Sequence, residues 1–300
     1  MTSPDLAVPQ RRTIDRIQSK AMVGPDAQVD DKAVIIGPTD PRRTDPFLLL
    51  SEDWFSIPGF DWHPHRGLET VTLVLDGVLE HGDNTGHAGA LEAGDIQWMT
   101  AGRGIIHREL AYRNEHAHTL QLWVNLPARS KMVETRYQDL RADARPRLDA
   151  AGASIDVISG AVGGSPGPAQ NHWPITGVVV TIEPGASASL DLPSHDRAFA
   201  YVLSGQVSIA GHDVRPGQIV WSEPVSELDR PTTVHLTATH LDEVSRVMVY
   251  SGRPIEEPVA MGGPFVMNHR AEITQAFDDY RRGGFGPVPR QDRLTAVERS

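Results

Sequence analysis

A chain of 300 residues with 39% hydrophobic and 22% charged residues has the composition of a globular protein. Its length suits two domains of about 150 residues. Its formal charge of −11 argues against a dominant nucleic-acid footprint, which would need an excess of Lys and Arg, so no direct nucleic-acid partner is expected. The absence of cysteine excludes disulfides and thiol chemistry.

No run of about 18 apolar residues marks a membrane span, and the first residues lack the apolar core of a signal peptide. A cytoplasmic protein without a membrane partner is therefore the expectation. The 27 glycines and 23 prolines are scattered, which suggests many short strands joined by tight turns.

In chain order, residues 1–30 read as an N-terminal arm leading to a first strand. From 31 to 140 short alternating runs recur: "AVIIG", "DPFLLLSEDW", "TVTLVLDGVLEHGD", "DIQWMTAG" and "HTLQLWVNL". In the third, Val71, Leu73 and Leu75 share a face and Asp76-Gly77 reads as a hairpin turn. Residues 128–140, "ARSKMVETRYQDL", read as a short helix or an irregular crossing segment, and the Gly/Pro-rich 160–171 as a loop. Strand-like runs resume to residue 268, forming a second β domain over 141–268. The segment 269–300 reads as a C-terminal helix and tail. Ile273, Ala276, Phe277 and Tyr280 fall on one face, with Asn268 as N-cap and Gly283-Gly284 as the stop.

An internal repeat links the two halves. "HRGLETVTLVLDG" (65–77) parallels "PSHDRAFAYVLSG" (193–205), and "ALEAGDIQWM" (90–99) parallels "DVRPGQIVWS" (213–222). In each copy a Trp follows a Gly by four positions. The two glycines of a copy are 17 residues apart in the first (77 to 94) and 12 in the second (205 to 217). Two similar β-barrels in tandem are expected.

The first copy contains "WHPHRGLETVTLVLDG". His63 and His65 alternate on a strand, so their side chains project side by side from Cα atoms about 6–7 Å apart. Alone, such a pair could be surface or core histidines, or two metal ligands. His107 and Glu109 in "TAGRGIIHREL" alternate in the same way. Two such pairs on facing strands would converge as three nitrogens and one carboxylate. Without thiolates, that set suits Fe(II), Mn(II), Ni(II), Co(II), Cu(II) or Zn(II) and leaves coordination positions open.

Glu69 could be a further ligand or an acceptor for a histidine N–H. His116 and His118 have no carboxylate at similar spacing and read as structural or pocket-wall residues. His81 and His87 read as solvated turn residues. The Gly102–Gly104 turn lacks the context of a phosphate loop. In the second copy, an ungapped match puts Asp191 and Pro193 against His63 and His65, and Arg230 and Thr232 against His107 and Glu109. That copy is expected to bind no metal.

"HPHRGLETVTLVLDG", "GDIQWMTAGRGIIHREL", "LQLWVNL" and "GRPIEEPVAMGGPFVMNHRAEITQAFDDYRRGGFG" resemble the pirin family of the cupin superfamily over roughly residues 35–286. The resemblance implies an all-β fold of two tandem cupin, jelly-roll-like barrels with a C-terminal helix. It implies one metal, normally iron as Fe(II), in the N-terminal cupin. The implied ligands are His63, His65, His107 and Glu109, with Glu69 outside the ligand set. Arg108, between the last two ligands, and "DWHPH" before the first depart from the family pattern and could reshape the pocket mouth.

Some pirin-like proteins are quercetin 2,3-dioxygenases. This implies a small aromatic substrate and O2, with Glu109 as catalytic proton acceptor and Trp98 and Met99 as candidates to hold a planar ligand. Others imply a redox-sensing regulator with a protein partner, either a transcription factor or a metabolic enzyme.

Overall fold

The Leu68–Asp83 strand, 16 residues long, organises the first β unit. The computed structural model describes residues 10–56, 59–225 and 230–288. The outer parts of the expected arm and tail, 1–9 and 289–300, lie outside the described residues. The first half of Leu68–Asp83 pairs with Ile96–Thr100 on one side and Ala117–Asn125 on the other. Its second half pairs with Ala88–Glu92 and Ile105–Ala111.

The hairpin expected at Asp76-Gly77 is therefore absent, because the strand runs straight through it. Gly77 has a φ of +75°, and a Cβ there would lie 2.2 Å from the His116 carbonyl oxygen. The ladder register shifts opposite it, between His118 and Thr119. The Asp-Gly pair marks a bulge that lets one strand pass from one sheet region to the next.

The main ladder of this unit runs Arg136–Leu140, Ile96–Thr100, Leu68–Asp83, Ala117–Asn125, Phe47–Phe55, Asp31–Ile36 and Ala21–Met22. Phe60–His65 joins through Ile105–Ala111. The ladder does not close on itself. The unit is a cupin-type, jelly-roll-like β-sandwich, the fold class expected from the sequence. Residues 128–140 form a short 3-10 turn at Ala128–Ser130 and then the edge strand Arg136–Leu140, not a helix. Its sequence, "RYQDL", lacks a clear alternation, and antiparallel pairing with Ile96–Thr100 is what fixes it as a strand.

The second unit repeats the plan. One sheet runs Arg147–Ala150, Ala153–Ser159, Ile175–Ile182, Ser245–Gly252, Arg197–Ser204, Gln218–Ser222 and Arg16–Ser19. The other contains Ser187–Leu192, Thr232–Ala238, Val207–Ile209 and His212–Val214, with Gln10–Arg11 added in parallel to Thr232–Thr233. Its core is rich in β-branched residues, including Val178, Val180, Val247 and Val249.

The repeat read in the sequence has matching detail in both units. The Gly94 N–H donates to the Val74 carbonyl at 2.8 Å, and the Gly217 N–H to the Val202 carbonyl at 3.0 Å. Trp98 and Trp221, four residues after each glycine, are both fully buried.

The units are not contiguous in sequence. One gathers Lys20–Ala144, Ala169–Trp173 and the residues from Pro254 onward. The other gathers the residues up to Ser19, Arg145–Pro168 and Pro174–Arg253. Residues 10–19, expected within the arm, supply strands to the second unit. The C-terminal helix packs with the first.

That helix, Arg270–Arg281, is the one α-helix among the described residues. His269 caps it, not Asn268. The Glu272 carboxylate reaches back to accept from the His269 N–H at 2.8 Å and the Asn268 N–H at 3.1 Å. Gly283, with φ +77°, follows its end. Ala276, Ile273 and Tyr280 pack with Ile106, Phe265 and Phe285.

Candidate metal centre

Phe60–His65 and Ile105–Ala111 are neighbouring antiparallel strands, with His63 directly opposite His107 and His65 opposite Ile105. The two histidine-bearing segments were expected on facing strands, and they converge instead by direct pairing. Ring centroids are 4.3 Å apart for His63 and His107, and 5.0 Å for His65 with either partner. One ring nitrogen from each of the three lies within 4.8 Å of the other two.

Each imidazole has its Nδ1 committed. His63 Nδ1 donates to the Asp61 carbonyl at 2.7 Å, and His65 Nδ1 to the Pro264 carbonyl at 3.2 Å. His107 Nδ1 pairs with the Tyr137 hydroxyl at 3.0 Å. A carbonyl can only accept, so the Nδ1 of His63 and of His65 carries the proton and Nε2 carries the lone pair. The Nε2 atoms of His65 and His107 are buried and have no hydrogen-bond partner among the described residues.

Burial lowers the pKa of all three histidines, and that of His65 and His107 is pushed further down by the neighbouring rings. Neutral imidazoles with converging lone pairs, each oriented by a second hydrogen bond, have the donor chemistry of a transition-metal site. The residues present fit a metal ion.

Glu109 lies on the same strand but outside this group of nitrogens. Its Oε1 accepts from Thr72 Oγ1 at 3.0 Å and its Oε2 from Gln121 Nε2 at 2.7 Å. Trp123 Nε1 donates to Gln121 Oε1 at 3.0 Å, which orients the amide. The ladder pairs His107 with His63 but Glu109 with Phe60, so a bulge separates the two. Burial raises the Glu109 pKa, partly offset by the Thr72 and Gln121 hydrogen bonds.

Glu69 is placed differently from either expectation. It lies three positions before Thr72 on one strand, an odd offset, so the two point to opposite faces. Its Oε1 accepts from Thr100 Oγ1 at 2.7 Å, and burial raises its pKa to about 7. Trp98 lies on that same face, away from the histidines. Met99 sits in the inward row Tyr137–Met99–Thr70–Trp123.

Arg108 turns away from the site, donating to Glu80 Oε1 at 3.2 Å beneath the Trp62 ring. His81 is not solvated. It is 2% exposed, bonded to Asp139 at 3.2 Å and stacked on Tyr137, because its strand extends past Gly77. His87 is exposed. His118 bonds Glu52 at 2.9 Å and stacks on Trp54, and His116 pairs with Asp76 at the surface.

Tyr137, Thr72, Gln121 and Trp123 were not singled out in the sequence. The alternation in "LQLWVNL" carries the signal for Gln121 and Trp123 to share the face of Thr70 and Thr72. Trp123 meets His65 edge-on at 5.2 Å, and Phe60 lies 6.3 Å from His63.

Two cupin units, one holding a three-histidine cluster, define a bicupin protein with a candidate metal centre in its N-terminal cupin. Comparison with known proteins agrees. The Pirin family pattern matches residues 32–124, and that of the Pirin C-terminal cupin domain matches residues 177–286. Pirin-1 of Arabidopsis thaliana is 37% identical over 293 residues, covering 92% of this chain and 97% of that protein.

The crystal structure of GK1651 from Geobacillus kaustophilus superposes with a TM-score of 0.80 at 38% identity, covering 84% of this chain and all of that one. The structure titled quercetin 2,3-dioxygenase from Acinetobacter baumannii superposes with a TM-score of 0.81 at 28% identity, covering 93% of this chain and all of that one. The chain belongs to the pirin family.

Proposed function

We propose that this protein is a cytoplasmic, iron-dependent dioxygenase that cleaves flavonol-type substrates such as quercetin with O2. The observation that carries this reading is the convergence of three neutral imidazoles whose Nδ1 atoms are already committed. His63, His65 and His107 would hold Fe(II), or another divalent transition metal, with Glu109 as the fourth ligand. A bound metal would lower the pKa of a coordinated phenol hydroxyl and admit O2.

The chain's own residues would do the rest. Glu109 takes the hydroxyl proton, a role suited to a carboxylate whose pKa burial has raised. Thr72 and Gln121 hold its two oxygens so that the proton has a fixed destination. Trp123 and Phe60, beside His65 and His63, flank a planar ring, with Met99 in the same inward row as Trp123. The likeness to the Acinetobacter baumannii protein, named a quercetin 2,3-dioxygenase, supports the reading.

The test is oxygen uptake by anaerobically Fe(II)-loaded protein on adding quercetin, with metal measured on the same sample. Uptake in proportion to bound iron is expected, and His65→Ala should abolish both. Full iron occupancy without uptake would overturn the enzyme reading and favour the redox-sensing regulator, whose partner would then be sought with oxidised and reduced protein.

A further inference from the structure

We propose that the C-terminal cupin contains a guanidinium-binding site, filled in cis by Arg12, at the place where the N-terminal cupin gathers its histidines. The two places correspond by topology. In the first unit Phe60–His65 runs antiparallel to Ile105–Ala111, and in the second Ser187–Leu192 runs antiparallel to Thr232–Ala238. The internal match sets Pro193 against His65, and the ladder register, with Leu192 opposite Thr232 as Pro64 is opposite Ile106, sets Thr232 at the place of Ile106, next to His107. Arg12 bonds to Pro193 and Thr232.

Arg12 is 2% exposed. Its Nε donates to Thr232 Oγ1 at 2.8 Å and its Nη2 to the Pro193 carbonyl. Its Nη1 donates to the Asp196 carbonyl at 2.9 Å and to Ser222 Oγ at 3.4 Å. Two carbonyls and two hydroxyls thus accept four of the five guanidinium hydrogens. Among the described residues no carboxylate bonds to it directly, so the site selects by the planar geometry of its acceptors as well as by charge.

A buried cation is tolerated only where its donors are satisfied, and here the fold supplies the acceptors. The backbone delivers the side chain, since the Arg12 N–H donates to the Thr233 carbonyl at 2.8 Å, continuing the Gln10–Arg11 pairing.

A cavity of about 20 Å³ lies beside the Arg12 side chain, lined by Leu192, Ile209, Val234 and Val249 among others. In the first unit the corresponding strands present imidazoles, His63, His65 and His107, which would hold a metal ion where the second unit presents these oxygens. The second unit instead carries an organic cation that neither exchanges nor changes oxidation state. The ligand class is a monosubstituted guanidinium.

The test is thermal unfolding of the full-length Arg12→Ala protein with methylguanidinium as the probe and methylammonium as the control, both at millimolar concentration. The variant should unfold at lower temperature. Methylguanidinium should restore at least about half of the loss in a saturable way, with little effect on the parent protein. Equal effects of the two cations, or equal shifts in parent and variant, would overturn the proposal.

If Arg12→Ala does not fold, hydrogen exchange of the Arg12 Nε–H is read by nitrogen-15 NMR in the parent protein. The resonance is identified by its loss in Arg12→Lys. It should be protected, and should exchange about tenfold faster or more in Thr232→Val. An unprotected Nε–H in the parent protein is the contrary result.

Discussion

His63 and His107 face each other across one antiparallel ladder, their rings 4.3 Å apart, with His65 completing the triangle two residues along. Each ring contributes one nitrogen and no other residue type joins the group among the described residues. Removing any one should leave two imidazoles and a weakened site. Protein loaded with Fe(II) or Ni(II) and desalted should retain about one metal per chain, and His63→Ala, His65→Ala or His107→Ala well under half of that. Unchanged metal content in all three variants, by elemental analysis, would place the metal elsewhere.

Tyr137 holds His107 from behind. The Tyr137→Phe variant keeps the ring stacked on His81 at 5.5 Å and loses only the hydroxyl bonded to Nδ1 at 3.0 Å. Groups that orient a metal ligand are worth about 10–100-fold in affinity. Competition with a chelator should show a loss in that range with an unchanged circular dichroism spectrum. Parent-like affinity would make the hydroxyl a packing feature only.

Glu69 gives a pH dependence that can be signed. Burial raises its carboxyl pKa to about 7, above the ordinary 4.5. The folded state then binds more protons than the unfolded state between these values, so stability falls as pH rises through that window. Glu69→Gln should remove the cost, stabilising the protein at pH 8 by up to about 3 kcal/mol and changing little below pH 4.5. Urea unfolding at both pH values reads this. A variant less stable at pH 8 would mean that Glu69 is ionised in the fold and held by Arg136.

Gly77 should tolerate no side chain. Its positive φ and the His116 carbonyl 2.2 Å from a built Cβ combine strain with overlap. Gly77→Ala should cost about 2–4 kcal/mol in unfolding free energy. Gly86 has a φ of +104° and nothing within 4 Å, so Gly86→Ala should cost only about 1–2 kcal/mol. Equal costs would mean that the bulge at Gly77 relaxes freely.

Much of this was legible in the sequence. The repeated Gly-to-Trp spacing, the alternating runs and the two histidine-bearing pairs point to two β units and to His63, His65 and His107. What escaped depends on pairing between distant segments. An Asp-Gly pair signals a hairpin locally, but the ladder partners of Leu68–Asp83 carry the strand through it. His81 stands in the polar stretch "EHGDNTGH", which reads as a turn, and the strand that runs on to Asp83 buries it.

Tyr137 lay in a stretch without clear periodicity, and its edge-strand role comes from Ile96–Thr100. Alternation alone set His107 and Glu109 on one face. The bulge between them, and the Thr72 and Gln121 side chains, decide where the carboxylate rests. Arg12, far from Thr232 in the chain, carries no local sign of its place in the second cupin.

The three Nδ1 bonds lead to three different stretches of chain: Asp61 in the histidine strand itself, Tyr137 at the sheet edge and Pro264 beside the C-terminal hairpin Ala260–Met267. The centre is thus a junction where the beginning, middle and end of the first unit are tied at one point. An ion gripped there restrains all three at once, and by reciprocity whatever loosens one of them loosens the grip. A change near residue 264 would then be felt as a change in affinity at residue 65, although the two are 199 positions apart in the sequence.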